Sequence, residues 1–262
     1  MPKFKFIFAA ISIFLTSLFI PATGSSAAGR FGDLVVSQVW FQDISFCEQQ
    51  SETFKRCFNK SDYSQRTAWV FSVTNNNKKK TAQGVRARVQ LIDSAGNVAV
   101  SANVRVASAI APGATVWVAP NVERGGGIFD TKNTVIAESG AGGITSASAA
   151  ITAATFRVQT KQRFPTAVVD FELQDQNYLY DYYTYPRELL TQIGYDVTIP
   201  NPRKAYNGFA TLIFLTDSGT PLMGLRSTFA LNQGGVTLSG GLLLKKQTAA
   251  LVGEMKISIA PK

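Results

Sequence analysis

The chain has 262 residues, with 26 Lys or Arg against 17 Asp or Glu and no histidine. Without histidine there is no Ser-His-Asp or Cys-His nucleophile and no His-ligated metal site. We expect no cofactor, no metal and no catalytic residue.

Residues 1–28 predict export. Lys3 and Lys5 precede an apolar run from Ile7 to Ile20, Pro21 ends it, and "ATGSSAAG" sets small residues where a signal peptidase would cut, after Ala27 or Ala28. The run is short for a bilayer span, so it reads as a signal peptide (1–28), with the periplasm, cell surface or medium as destination. No cysteine follows to carry a lipid. The remaining 234 or so residues hold one large all-β domain or two of ordinary size. Without Lys3 and Lys5 the net charge falls from +9 to +7, and no further stretch is apolar enough to cross a membrane.

"DLVVSQVWFQDISF", from Asp33, alternates β-branched and aromatic residues and predicts a strand, with Leu34, Val36, Gln38 and Trp40 on one face. "SFCEQQSETFKRCFN" follows. Its Cys47 and Cys57, in an exported chain, read as a disulfide closing a small polar loop. One pair completes no zinc site and is not Cys-x-x-Cys. "RTAWVFSVTN" and "GVRARVQLID" are the next strands. The second should turn Val85, Ala87, Val89 and Leu91 inward and Arg86 and Arg88 outward. "DSAGN" and Pro112-Gly113 are turns. Lys78, Lys79 and Lys80 read as a solvated turn that discourages edge pairing. With Arg86 and Arg88 they are also a candidate patch for an anionic envelope surface or polymer.

The stretch from Val73 to Asn97 returns as "VTIPNPRKAYNGFATLIFLTDSGT". With an offset of 124, Val73, Thr74, Asn77, Lys80, Gly84, Leu91, Asp93 and Ser94 meet identical residues from Val197 to Ser218, and the turn is one residue shorter. Repeated punctuation of this kind predicts two modules in tandem. "DLVVSQVWFQ", "VTNNNKKKTAQGV", "QLIDSAGNV" and "APGATV" resemble the bacterial immunoglobulin-like modules called FxLYD and CARDB domains, over Asp33–Val122 and again over Tyr195–Pro261. The inserted cysteine loop and the lack of a Leu-Tyr-Asp run at Leu91–Asp93 depart from that pattern. The resemblance implies an envelope interaction module with no catalytic residues to transfer.

Residues 123–154, rich in Gly, Ser, Ala and Thr, predict a mobile loop. "GAGGITS" lacks the Gly-Lys-Ser/Thr ending of a phosphate loop. "YPRELLTQIG" predicts a short helix, from Pro186 near its start and Gly194 at its end. Before it, "DFELQDQNYLYDYYTYPRE" gathers Tyr178, Tyr180, Tyr182, Tyr183 and Asp181 among other acids. The tyrosines read as packing between the modules, or as a sugar- or partner-binding surface. Asp170 and Glu172 are a weak glycosidase pair, and Leu179 and Tyr180 spoil a calcium loop. In "GFATLIFLTD" both faces are apolar, which predicts an interface centred on Leu212 and Phe214, covered by the first module or another chain.

The expected fold is all-β: two tandem immunoglobulin-like β-sandwich modules, 29–165 and 195–262, joined by a connecting strand and short helix at 166–194. The expected function is binding or structural, through sandwich surfaces, in a bacterial envelope. A protein partner or self-association is expected, with a glycan or anionic polymer as a further ligand and nucleic acid excluded. The alternative is a carbohydrate-binding or glycoside-hydrolysing protein using residues 170–188.

Overall fold

The computed structural model describes residues 31–47, 63–120, 123–125, 128–130, 137–138, 143–158, 168–176, 190–199, 206–231 and 236–262. The described residues of its first half form ten strands: β1 (Leu34–Val36), β2 (Trp40–Cys47), β3 (Tyr63–Asn75), β4 (Thr81–Asp93), β5 (Val98–Ile110), β6 (Thr115–Val118), β7 (Glu123–Gly125), β8 (Ile128–Asp130), β9 (Ala137–Glu138) and β10 (Ile144–Arg157). All their pairings are antiparallel. β1 and β2 run in line along one side of β3, while β6 and β9 pair with its other side. A second sheet has the order β10-β4-β5, and β7 pairs with β8. Trp69, Phe71 and Val73 from β3 pack against Val85, Ala87, Val89 and Leu91 from β4, so the two larger sheets share one core.

The inward set on β4 is the one its alternation predicts, and Arg86 and Arg88 are exposed between its members. The first strand behaves differently. It breaks at residues 37–39, where the Ser37 amide donates to the Ser72 carbonyl (3.0 Å) and the Ser72 amide to Ser37 Oγ (2.8 Å). The break changes the alternation. Leu34 and Val36 face the first core, Val39 and Phe41 follow them, and Trp40 turns the other way.

The second half comprises β11 (Val168–Gln176), β12 (Leu190–Ile199), β13 (Tyr206–Leu215), β14 (Pro221–Leu231), β15 (Val236–Lys245), the four-residue helix α1 (Lys246–Ala249) and β16 (Glu254–Pro261). Its sheets are β11-β12-β15 and β14-β13-β16. The order of pairing repeats that of the first half: β12 lies between β11 and β15 as β3 lies between β2 and β6, and β13 lies between β14 and β16 as β4 lies between β5 and β10. The residues align with an offset of 124 from Trp69 to Ile193, and of 123 from Leu91 to Phe214 and from Gly96 to Gly219. Each of the four nonglycine residues lies in its own half's core.

The dropped residue therefore falls between Asn75 and Val85, not in the following turn. There Ala82 and Val85, three apart, are both buried in one core, and Gly84 sits at φ 60°. This marks a bulge in β4. The two turns are equally long: Gly96 (φ 82°) and Gly219 (φ 77°) each donate to the residue three before, Asp93 and Thr216.

Three expectations are corrected. Ile144 to Ala154 is not loop but most of β10. Its small residues still alternate, with Ala147, Ala149 and Ile151 against the core. Leu190 to Gly194 is not helical but opens β12, the start of that expected helix lying outside the described residues, while the expected connecting strand is described at Val168–Gln176, where it pairs with β12 throughout. Sheet pairing on two sides overrides the local helix signals. Finally, Leu212 and Phe214 lie in a core built mostly from the second half, with Ile193, Ile199 and Met255, to which the first half contributes Ala68. β13 is indeed buried on both faces, but Ile213 and Leu215 are the residues that meet Val70, Ala119, Trp40 and Trp117 of the first half. Carrying the offset of 124 past the β4 bulge reverses the strand, because a one-residue slip swaps its faces.

The two halves are joined along β6 by hydrogen bonds. Thr211 Oγ1 donates to the Trp117 carbonyl (3.0 Å), the Trp117 amide to Ser258 Oγ (3.3 Å) and the Arg226 amide to the Pro120 carbonyl (2.9 Å). Arg226, on β14, is 1% exposed and extends its side chain into the first half. Its guanidinium donates to the carbonyls of Arg105 and Val106 and lies over the Phe209 ring, 3.5 Å from the centroid. Val106 is the extra residue where β5 slips register against β4, between the pairs Val85–Ala107 and Arg86–Arg105. Such a slip leaves the extra residue unpaired, and Arg226 donates to its carbonyl and to that of Arg105 beside it. Burial first, and the charge of Arg105 second, push the Arg226 pKa down to about 9.

Candidate functional site

Tyr178, Tyr180, Tyr182, Tyr183 and Asp181 lie outside the described residues, as do the signal segment 1–28, the approach to β13 at 200–205, and Cys57. The expected Cys47–Cys57 bridge lies outside them with Cys57. Among the described residues no group of three His, Cys, Asp or Glu side chains could hold a metal, and no helix is long and apolar enough to cross a membrane.

The sequence-predicted basic patch is described, and register enlarges it. β4 is the central strand of its sheet, so each outward residue has a neighbour on either side. Arg86 is opposite Arg105 on β5 and Ala153 on β10. Arg88 is opposite Asn103 and Ala150, and Gln90 is opposite Ser101 and Ser148. Arg86, Arg88, Arg105 and Asn103 are all exposed. Arg157 ends β10 beside Thr81, the first residue of β4.

Lys78, Lys79 and Lys80 stand just before that strand end, on a loop with fixed geometry. Asn75 Oδ1 accepts from the Asn77 amide (3.0 Å), and Asn77 Oδ1 accepts from the amides of Lys79 (2.9 Å) and Lys80 (2.7 Å). Asn75 is fully buried and donates to the carbonyls of Lys80 and Ile110, which ties β3, β4 and β5 together at this end.

The outward residues of the middle of this sheet include no carboxylate. Asp33 accepts from Asn77 beside the lysine loop, and Asp93 accepts from the amides of Ala95 and Asn97 in the turn at the far end. The ion pair formed among the described residues, Lys256–Glu254, lies in the second half. Like charges directly opposite on paired strands are destabilising, and the Arg86–Arg105 pair is backed by Arg226 behind Arg105. Arg105→Gln removes one of the three charges while leaving the backbone carbonyl that Arg226 uses. It is expected to raise stability by about 0.2–1 kcal/mol in urea titrations.

Arg105 and Arg226 were not identifiable in advance. Arg105 belongs with Arg86 only once β5 is paired with its bulge. Arg226 did leave a signal: it is the one charge in the strand "PLMGLRSTFAL". In comparisons with family models, curated proteins and solved structures, nothing matches the chain.

Proposed function

We propose that this chain is an exported, non-catalytic binding protein of a bacterial envelope, made of two tandem immunoglobulin-like sandwiches of the FxLYD/CARDB type, and that it holds a polyanion on the β10-β4-β5 face. One observation carries this reading: Arg86 and Arg88 on the central strand β4 and Arg105 on the neighbouring β5 stand together, exposed and with no carboxylate among the described residues around them on that face. A solvated face would intersperse charges of both signs. Here the repulsion between Arg86 and Arg105 persists, and an anion laid across them would relieve it. The second half contributes rigidity, since Arg226 fixes the bulge from which Arg105 projects.

The test is retention on immobilised dextran sulfate. Arg86→Glu with Arg88→Glu is expected to weaken retention tenfold or more. Lys256→Glu with Lys262→Glu makes the same net-charge change on exposed residues of the second half and is expected to change retention little. Binding should fall with salt over the range where exposed charges are screened. Equal losses from both double variants would reduce the effect to net charge and remove the face from the reading.

A further inference from the structure

We infer that the polyanion is a linear acidic polysaccharide, lying along β4 above the small residues of β10, with its carboxylates on Arg88, Arg86 and Arg105. This inference rests on the polyanion reading of the same face and specifies its ligand.

The first argument is shape. β4 presents long side chains, Arg86, Arg88 and Gln90, whereas the β10 residues opposite them are Ala153, Ala150 and Ser148. A sheet with long residues on its central strand and alanine or serine beside them forms a shelf, walled on one side and floored by methyl and hydroxyl groups. An extended chain fits such a shelf parallel to the strand. Alternate residues of one strand stand about 6–7 Å apart, so Arg86 and Arg88 repeat along the shelf on the scale of single sugar rings, while Arg105, about 5 Å from Arg86 across the sheet, backs Arg86 from β5.

The second argument is chemistry. The guanidinium is a planar fork matched to a carboxylate, and it makes two parallel hydrogen bonds to one. Between and beside the arginines stand neutral groups that both donate and accept: Asn103 opposite Arg88, and Gln90 between Ser101 and Ser148. These serve sugar hydroxyls, which a plain polyphosphate lacks. A single-stranded nucleic acid would call for exposed aromatic rings on which bases stack, and this face has none among its described residues. A bilayer would call for apolar side chains standing out among the charges. The exposed valines near this face, Val98 at the start of β5 and Val158 just past the end of β10, lie at its two ends and not between the arginines.

The experiment titrates the full-length protein at low salt with four probes: oligogalacturonate, the same oligomer with its carboxyls reduced to alcohols, polyphosphate of matched charge, and phosphatidylglycerol vesicles. Oligogalacturonate is expected to bind, and the carboxyl-reduced oligomer not to bind. Arg86→Ala with Arg88→Ala should weaken oligogalacturonate at least tenfold. Asn103→Ala changes no charge and should weaken it about threefold while leaving polyphosphate binding unchanged. Polyphosphate binding as tight as oligogalacturonate, with Asn103→Ala affecting neither, would overturn the glycan assignment and leave a general polyanion site. Binding to vesicles alone would overturn it in favour of a lipid surface. If the arginine variant changed none of the four, the polyanion reading itself would fall.

Discussion

Arg226→Ala is expected to lower the stability of the folded chain by about 3 kcal/mol and to separate the unfolding of the two halves. Two opposing terms set that figure. Burying a guanidinium without a carboxylate partner costs several kcal/mol, which alanine would recover. Against this, the two hydrogen bonds to the Arg105 and Val106 carbonyls involve a charged donor and contribute about 1.5–3 kcal/mol each. The contact with Phe209 adds up to about 2 kcal/mol in a desolvated setting. Alanine also takes the Arg226 donors away from both carbonyls and leaves a space between the halves.

All three tryptophans, Trp40, Trp69 and Trp117, are in the first half. Fluorescence therefore follows that half and, through Trp40 and Trp117, its junction with the second, whereas far-ultraviolet circular dichroism follows the strands of both. The two signals should coincide in the parent and diverge in the variant. Arg226→Met restores much of the volume but none of the donors, and should recover less than half of the loss. Full recovery by methionine would show that the carbonyls of the β5 bulge do not depend on Arg226.

The pH dependence of this deficit follows from the direction of the pKa change. In the folded chain burial, and then the charge of Arg105, hold the Arg226 guanidinium down to about 9, well below its ordinary value in the unfolded chain. The unfolded chain thus holds more protons between those values, and the contribution of this group to stability rises with pH across that window. Below 9 both states are protonated, so the deficit of Arg226→Ala should be level from pH 6 to 8. Above 9 it should widen, because only the parent gains.

Much of the architecture could be read from alternation alone. The strand "GVRARVQLID" declares its core face and its basic face at once, and both hold. The turns at Gly96 and Gly219 declare themselves by residue type. What alternation could not supply was register. The break at Ser37 turns Trp40 to the opposite face, and the β4 bulge shifts the repeat by one residue and exchanges Leu212 for Ile213 at the junction. The cluster of Arg86 and Arg105 exists only after β4 and β5 are paired. A sequence repeat locates strands, whereas a bulge decides which way their side chains point.

Gly224 makes the strongest case for a junction set by backbone approach. It lies opposite Ile213, on the face of β14 turned to the first half. A Cβ added there would come within 2.8 Å of the Leu212 carbonyl oxygen, 2.9 Å of Val70 Cγ2 and 3.1 Å of Ala119 Cβ. The first of these is backbone and cannot yield without moving β13. The other two belong to β3 and to the segment after β6, both in the first half.

Gly224→Val is therefore expected to cost about 3 kcal/mol or more and Gly224→Ala about half as much, at the upper end of the effects of overpacking. Because the strain falls between the halves, Gly224→Val should also split the fluorescence and circular dichroism transitions. Val70→Ala removes one of the three obstructions. In a double-mutant cycle it should couple favourably to Gly224→Ala by about 1 kcal/mol, within the range for residues in contact. A Gly224→Ala protein as stable as the parent, with no coupling to Val70, would mean that the halves can separate freely. Arg226 would then be left as the main element holding β5, and the basic face in front of it, in place.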